Sequence, residues 1–179
     1  NGHGTPEVIE YLSPWIDFYK IDLKTFSDKN YRKLGGSLTA VLDTVGRVFS
    51  AGMWTEIVTL VIPNYNDSDK ELTNIAEFIA SISTEIPWHV TAFHPDYKMK
   101  DRGKTPVTTL LKAYKKGKQA GLKFVYLGNM PGQVENMENT YCPECEEPLV
   151  NRIGFHVKNN YLQNSCCPKC LEPIGGRWS

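Results

Sequence analysis

Two Cys-Pro-x-Cys motifs near the end of the sequence carry the residue types with the clearest metal chemistry. Cys142 and Cys145 belong to the first motif, and Cys167 and Cys170 belong to the second, 21 residues further on. Such a motif turns the backbone so that two thiolates point at one ion, and four thiolates make a closed tetrahedral zinc site. The spacing therefore predicts one structural zinc ion.

Five cysteines compete for these four ligand positions. Cys166 is predicted to be the spare thiol, because only Cys167 reproduces the Cys-Pro-x-Cys spacing of the first motif. Residues 140–179 have few large apolar side chains, so this segment needs a metal ion to fold. A redox-active dithiol pair and a metal other than zinc are the alternatives.

Charged residues also alternate along the stretch DFYKIDLKTF, residues 17–26. Lys20, Asp22 and Lys24 share one face of the predicted strand, and the apolar face carries Tyr19, Ile21 and Leu23. Inside a barrel an unpaired charge is costly, so a ligand with a carboxylate and an ammonium group would satisfy Asp22 and Lys24 together. Alternatively, the two charges pair with each other or with a neighbour at a solvated strand end.

The elements that would position these residues alternate between strand and helix. Apolar patterns predict strands at 17–24, 55–62, 88–94 and 122–127, and helices at 6–12, 28–34, 38–51, 68–83 and 106–120. Two helix starts have local signals: a capping box from Ser68 to Glu71, and Thr105 as N-cap before Pro106. This βα repetition predicts an α/β fold with a parallel sheet covered by helices.

In such folds the chemistry gathers at the C-terminal ends of the strands. The polar residues at those ends are Asp22, Lys24, Asn64, Asn66, Asp67, His94, Asp96 and Asn129. We therefore expect them along one rim of the sheet.

Composition limits the partners. The 179 residues have a formal net charge of zero, which gives no electrostatic reason to expect a nucleic acid or an anionic membrane as partner. No apolar run is long enough to span a membrane, and the first residues lack the pattern of a signal peptide. We expect a cytoplasmic protein with a domain at residues 1–139 and a zinc ribbon at residues 140–179.

The order of five short motifs resembles a known family. Asn1-Gly2, Asp-x-Lys at 22–24, IPxxND at 62–67, FHPxY at 93–97 and YxGN at 126–129 resemble the C-terminal half of radical S-adenosylmethionine (SAM) enzymes similar to pyruvate formate-lyase activating enzyme. The resemblance covers nearly all of residues 1–130. With the cysteine segment added, the chain is most similar to the radical SAM member of the AmmeMemoRadiSam group.

The resemblance implies half of a TIM-like radical SAM barrel of parallel strands and helices, followed by the small zinc-ribbon module. It implies that Asn1 and Gly2 lie beside the ribose and methionine part of SAM. It places Asp22 and Lys24 near the SAM carboxylate, and His94 close to SAM. From the residues alone, the preferred interpretation of His94 is a capped strand-end histidine beside Pro95, and His3 and His89 have no expected role.

One family feature is absent from this sequence. Radical SAM chemistry uses a CxxxCxxC loop whose three thiolates hold a 4Fe–4S cluster, and no such loop occurs here. Cys166 and Cys170 have the first spacing, but Pro173 stands where the third cysteine would be. The chain is expected to be a fragment of a longer enzyme, inactive alone, with no catalytic residue of its own assigned.

The complete enzyme is expected to cleave SAM reductively to a 5′-deoxyadenosyl radical that abstracts hydrogen from a protein or small-molecule substrate. Two alternatives use the same residues differently. In one, the zinc ribbon is a docking module for protein or nucleic acid on an α/β scaffold; in the other, an unrelated barrel enzyme uses Asp22 and Lys24 as an acid/base pair. Exposed strand edges predict that the fragment dimerises or swaps domains.

Overall fold

The computed structural model of the chain describes residues 2–178, which form two sheets. The first sheet is parallel in the order β1-β2-β3-β4, and the second is antiparallel in the order β5-β6-β7. The strands of the first sheet are β1 (Phe18–Asp22), β2 (Trp54–Val61), β3 (Trp88–Ala92) and β4 (Val125–Gly128). Those of the second are β5 (Thr140–Tyr141), β6 (Pro148–Ile153) and β7 (His156–Asn160).

Helices precede and connect the parallel strands. They are α1 (Pro6–Leu12), α2 (Asp28–Lys33), α3 (Leu38–Ser50), α4 (Asp69–Ile82) and α5 (Val107–Gln119). The predicted alternation of strands and helices and the parallel sheet are thus confirmed. None of the helices in residues 2–178 has the length and apolar composition that crossing a membrane requires.

One face of the parallel sheet is packed and the other is open. Burial alternates along β2, because side chains alternate across a strand. The packed face joins the helices in one apolar core that includes Ile21, Leu23, Ile57, Val90, Leu127, Val45, Ile75 and Leu110. The predicted packing role of Ile21 and Leu23 is confirmed, since both are fully buried, and Tyr19 packs against this core.

The other side of the sheet, here called the open face, carries charged, polar and apolar side chains. Its strand residues are Phe18, Lys20, Asp22, Trp54, Glu56, Val58, Leu60, His89, Thr91, Tyr126 and Gly128. None of these residues is fully buried. Because all four strands run in parallel, their C-terminal ends lie at one edge of this face.

One of the two predicted helix starts differs from the structure, whereas Ser68 is the N-cap of α4 as predicted. Pro106, not Thr105, is the N-cap of α5, and it makes no side-chain capping bond. The Thr105 hydroxyl instead accepts from the N–H of Phe93 (2.8 Å) and donates to the carbonyl of Val61 (2.6 Å). These bonds fasten the loop before α5 to the ends of β2 and β3, a tertiary use that overrides local capping.

Only half of the predicted capping box forms on α4. The Ser68 side chain accepts from the N–H of Glu71 at 3.3 Å. The Glu71 carboxylate does not turn back to Ser68; it accepts from the Thr25 hydroxyl and, at 2.6 Å, from the N–H of Phe26. Glu71 therefore holds the loop that follows β1 against the start of α4.

The antiparallel sheet packs against the N-terminal end of the parallel sheet. A second apolar group joins Phe124, which directly precedes β4, to Leu149, Val150 and Ile174. A Cβ added at Gly175 would lie 2.9 Å from the Trp54 ring. This close approach fixes the chain around Gly175 against the start of β2, at the end of the sheet opposite to Asp22.

Candidate functional site

The charged pair of the sequence lies at the C-terminal end of β1. Asp22 Oδ2 is 3.2 Å from Lys24 Nζ, and Asp22 Oδ1 is 3.3 Å from Lys20 Nζ. The Asp22 side chain is 22% exposed, against 40% for Lys24. The two residues therefore pair with each other, as one alternative predicts, and both still face the open side of the sheet.

The pairing also sets the protonation state of Asp22. Burial raises the pKa of the carboxyl, but the charges and hydrogen bonds of Lys24 and Lys20 outweigh burial and lower the pKa below its ordinary value. Asp22 is therefore a carboxylate at neutral pH. It can accept hydrogen bonds from a ligand ammonium group.

Tyr31 of α2 holds the backbone around this pair. Its hydroxyl donates to the carbonyl of Asp22 (3.3 Å) and accepts from the N–H of Lys24 (2.9 Å). Burial raises the pKa of Tyr31 to about 12, while the N–H of Lys24 acts in the opposite direction. The phenol thus stays protonated and keeps both bonds at physiological pH.

Asn66 ties the end of β1 to the loop after β2. Its side-chain amide donates to the carbonyls of Lys24 (2.6 Å) and Leu60 (2.9 Å), and its Oδ1 accepts from the N–H of Ile62 (2.6 Å). Asn66 is only 1% exposed, so its hydrogen-bonding groups are used inside the protein. It positions the rim from inside the protein.

A cavity of about 570 Å³ opens beside the charged pair. Its wall is formed by Gly2, His3, Asp22, Lys24, Tyr31, Lys33, Leu34, Gly35, Gly36, Val41, Leu60, Ile62, Tyr65 and Met99. This volume is in the range of sites for small molecules and cofactors. We call it the β1–β2 cavity.

Backbone glycines and His3 shape one side of the β1–β2 cavity. A Cβ at Gly2 would lie 2.7 Å from Val41 Cγ1, so only glycine fits this approach of the chain to α3. His3 Nε2 accepts a long hydrogen bond of 3.5 Å from the N–H of Ser37. The sequence assigned no role to His3, although it adjoins Asn1-Gly2; that adjacency is the signal that points to it.

The remaining predicted rim residues lie in several places. Asn1 lies outside the described residues. His94 follows β3 but is exposed and is not part of the β1–β2 cavity wall. Asn129 has a positive φ of 61° and donates from its side chain to the carbonyl of Ala92 at 3.1 Å. The structure thus brings Gly2, Asp22 and Lys24 together, and places His94 apart from them.

Four cysteines meet in the second part of the chain. The Sγ atoms of Cys142, Cys145, Cys167 and Cys170 all lie within 4.8 Å of one another. The Cys142–Cys170 and Cys145–Cys167 sulfur distances are 3.5 and 3.6 Å. Neighbouring sulfurs in a tetrahedral zinc site with bonds of about 2.3 Å are about 3.8 Å apart, so the geometry fits one ion. Cys166 Sγ lies outside this group and donates to the carbonyl of Asn164.

The two Cys-Pro-x-Cys turns have the same backbone path. The N–H of Glu146 donates to the carbonyl of Cys142, and the N–H of Leu171 donates to the carbonyl of Cys167, each at 3.0 Å. Glu146 and Leu171 have positive φ values of 59° and 64°. Non-glycine residues seldom adopt this conformation, so its occurrence at equivalent positions indicates a shared structural requirement.

Cys167 is the thiol that the fold best prepares to ionise. Burial raises its pKa, but the N–H groups of Cys170 and Lys169 and the neighbouring thiols lower the pKa to about 7. Thiolates, not thiols, bind metal ions. A first thiolate is therefore available near neutral pH before any metal ion contributes.

Comparisons with known proteins match this chain to two curated relatives. Residues of the chain are 38% identical over 159 positions to the uncharacterized protein MJ0808 of Methanocaldococcus jannaschii, covering 88% of this chain and 46% of that protein. They are 30% identical over 81 positions to the benzylsuccinate synthase activating enzyme of Thauera aromatica, covering 45% of this chain and 24% of that enzyme. The chain thus spans less than half the length of each. No family model matches it.

A solved structure has a similar fold. A domain of the pyruvate-formate lyase-activating enzyme from Bacteroides vulgatus superposes with a TM-score of 0.60 at 18% sequence identity, over 70% of this chain and 76% of that one. The chain is therefore similar in fold to a domain of one activating enzyme and, over part of its length, similar in sequence to another.

Proposed function

We propose that the β1–β2 cavity binds the methionine part of SAM and that the chain is the SAM-binding half of a radical SAM enzyme of the activating-enzyme type. The observation that carries the proposal is the Asp22–Lys24 pair on the wall of a cavity of about 570 Å³, in a fold similar to an activating-enzyme domain. The zwitterionic end of SAM offers the matching charges.

The pair is suited to exchange one partner for another. In the absence of ligand, Asp22 and Lys24 satisfy each other at 3.2 Å. The ammonium group of an entering ligand can pair with the Asp22 carboxylate while its carboxylate pairs with the Lys24 ammonium group. Neither charge is then left unpaired. Tyr31 and Asn66 hold the backbone at this strand end during the exchange.

The residues of this chain do not fit an iron–sulfur cluster beside the β1–β2 cavity. No cysteine is part of its wall, and four of the five cysteines converge on a single site elsewhere in the described chain. We propose that the cluster thiolates of the complete enzyme come from sequence outside residues 1–179. A cluster there would supply the electron for reductive cleavage of SAM.

The four-cysteine group is proposed to hold a structural zinc ion. A Cys₄ set leaves no open coordination position, so it stabilises the fold and does not bind substrate. We propose that residues 1–139 and 140–179 are the two units of the chain, the second being a zinc ribbon that packs against the strand starts.

Two other functions have less support. A general base near neutral pH needs a raised carboxyl pKa, whereas the lysines lower that of Asp22, which disfavours an Asp22–Lys24 acid/base pair. A mere scaffold for a docking ribbon does not require a cavity with a charged pair at the strand ends. The zero net charge gives a nucleic-acid partner no electrostatic basis.

Titration of SAM and decarboxylated SAM against wild type and Lys24→Met tests the proposal. If Lys24 contacts the SAM carboxylate, removing the lysine or the carboxylate weakens binding about ten- to a hundred-fold, and removing both adds little more. Lys20→Met is the matched control, since Lys20 also pairs with Asp22 but is not part of the cavity wall. Equal affinity for both ligands in the wild type would overturn the assignment.

A further inference from the structure

A second polar group crosses the open face near the strand starts, away from the β1–β2 cavity. Glu56 Oε2 is 2.8 Å from His89 Nε2, and the His89 ring stacks on the Tyr126 ring with centroids 5.1 Å apart. The Arg152 guanidinium lies over the Tyr126 ring, 5.3 Å from the ring centroid. A chain of contacts therefore runs from β2 through β3 and β4 to β6 of the antiparallel sheet.

Arg152 is held in place but is not satisfied. Its Nη2 donates to the Thr140 hydroxyl and its backbone N–H donates to Asn139 Oδ1, both at 2.8 Å. Among residues 2–178 its Nε is a buried donor with no hydrogen-bond partner, and none of the ion pairs formed by these residues includes Arg152. A guanidinium stays charged at any physiological pH, and an unmet buried donor costs on the order of 1–3 kcal/mol.

A cavity of about 340 Å³ lies against this guanidinium. The side chains and backbone that form it are His89, Thr91, Tyr126, Leu127, Gly128, Asn129, Pro131, Glu138, Arg152, Gly154 and Phe155. It lies between the open face and the turn that joins β6 to β7, so both sheets contribute to it. We call it the inter-sheet cavity.

The carboxylates near the inter-sheet cavity are already occupied. Glu56 accepts from Trp54 Nε1 at 3.0 Å and contacts His89. Glu138, which is 4% exposed, accepts from the N–H groups of Gly132 (3.3 Å) and Gly154 (2.9 Å). Neither carboxylate forms a hydrogen bond with Arg152, so the part of its guanidinium that lines the cavity is available to an acceptor that enters there.

The surroundings of Arg152 also define the ligand. The planar fork of a guanidinium matches a carboxylate, and the negative charges of Glu56 and Glu138 repel a dianion such as phosphate more than a monoanion. Pro131, Phe155 and the Tyr126 ring give the cavity apolar walls. A monocarboxylate with an apolar body satisfies both features.

We propose that the inter-sheet cavity binds the carboxylate of a small organic acid, with Arg152 as its charged partner and Phe155 against its apolar body. Because Arg152 lies on β6 and Phe155 on the following turn, the cysteine-bearing unit completes the site. Asp22 lies on the same face of the sheet, at the C-terminal end of β1. The further assignment of this acid as the substrate rests on the proposed SAM function, whereas the binding itself does not.

The test uses the 179-residue chain purified with zinc, with hexanoate as the probe. The Arg152 Nε–H is buried, so its proton should exchange slowly and its NMR resonance should report on ligands that bind to the neighbouring Nη groups. Hexanoate should shift this resonance saturably, and hexanamide and inorganic phosphate should bind at least about ten-fold more weakly, as expected for loss of a charge-assisted hydrogen bond. Phosphate binding as tight as hexanoate, or no saturable shift, overturns the proposal.

Variants decide which residue carries the binding. Arg152→Gln should weaken hexanoate at least about ten-fold by calorimetry, whereas Arg32→Gln should not, because Arg32 pairs with Asp28 on the exposed surface of α2. Equal losses in the two variants overturn the proposal. If Arg152→Gln lowers the zinc content or the helical signal, Phe155→Ser tests the site instead, since the fully exposed Phe155 is not needed for folding.

Phe155→Ser should weaken hexanoate several-fold and leave acetate unchanged, because acetate has almost no apolar body. An unchanged hexanoate affinity in this variant overturns the placement of the ligand. SAM titrated against the same samples separates the two proposals. Hexanoate binding without SAM binding would support this site and contradict the proposed SAM function. SAM binding without hexanoate binding would support the SAM function and contradict this site.

Discussion

The side-chain amide of Asn66 donates a hydrogen bond of 2.6 Å to the carbonyl oxygen of Lys24. This bond joins the loop after β2 to the residue that follows β1, and a second bond to Leu60 O anchors the same amide on β2. The charged end of β1 is therefore positioned by a buried side chain that is not part of the wall of the β1–β2 cavity. A substitution of Asn66 should therefore change the stability of this rim without removing a side chain from the cavity wall.

Asn66→Ala should lower the free energy of unfolding by about 2–4 kcal/mol, because it removes three hydrogen bonds and leaves buried backbone groups unpaired. Urea denaturation followed by circular dichroism measures the loss. Asn74→Ala on α4 is the control, and it should be neutral or slightly stabilising because alanine has the higher helix propensity. Similar losses in both variants would contradict the anchoring role of Asn66.

The raised pKa of Tyr31 predicts a loss of stability at high pH. Its pKa is about 12 in the folded protein, against an ordinary value of 10.0 for tyrosine. The unfolded chain therefore releases this proton first, so stability is complete below pH 10 and falls as the pH rises towards 12. The expected loss from this group is on the order of 1–3 kcal/mol.

Denaturation of wild type and Tyr31→Phe between pH 9 and 12 measures this contribution. The variant should be less stable at pH 8, because the N–H of Lys24 loses its acceptor, but its stability should fall less steeply with pH. Tyr11→Phe is the control, since Tyr11 is 74% exposed. Parallel pH profiles for wild type and Tyr31→Phe would show that another group dominates.

Most of the fold was predictable because apolar residues recur along the sequence with the period of a strand or of a helix. The buried positions of β2 alternate, and Leu72, Ile75, Ala76 and Ile79 of α4 recur at helical spacing. The predictions that failed concern Thr105 and Glu71, whose side chains bond across the fold. Local capping signals carry no information on such distant partners.

The candidate sites were only partly predictable, for the same reason. Asp22 and Lys24 stand out because charges alternate on an otherwise apolar strand. Tyr31 and Arg152 do not stand out, since nothing in the sequence around a tyrosine of a short helix or an arginine of a hairpin indicates their partners. Their roles arise from contacts with β1 and β4, which only the folded chain brings within reach.

The four-cysteine group predicts a defined metal stoichiometry. Cys142→Ser, Cys145→Ser, Cys167→Ser and Cys170→Ser should each lower the zinc content well below one per chain, whereas Cys166→Ser should retain it. Chelation should unfold residues 140–178 while the helical signal of the parallel unit remains. Metal analysis and amide hydrogen exchange measure the two effects. Zinc retained in Cys167→Ser but lost in Cys166→Ser would reverse the ligand assignment.

Substitutions of Asp22 and His94 should differ in their effect on SAM affinity. Asp22→Asn keeps the shape of the side chain but removes the charge for the ligand ammonium group, so affinity should fall about ten- to a hundred-fold. His94→Ala should have a smaller effect, because His94 is exposed and outside the β1–β2 cavity wall. Calorimetry beside thermal melting distinguishes binding from folding. A lower melting temperature with unchanged affinity in Asp22→Asn would leave the pair a purely structural role.

Anaerobic treatment of this chain with iron and sulfide should not produce a 4Fe–4S cluster, nor cleavage of added SAM. Four thiols within 4.8 Å of one another leave room for one ion, not for a cube of four irons and four sulfides. Iron should therefore bind, at most, as a single ion that zinc displaces, and Cys142→Ser should abolish this binding. Iron and acid-labile sulfide analysis, with chromatographic detection of 5′-deoxyadenosine, measures the outcome. About four irons and four sulfides per chain, together with SAM cleavage, would assign the redox chemistry to these cysteines. That result would contradict both the structural zinc site and the proposal that the cluster thiolates come from other sequence.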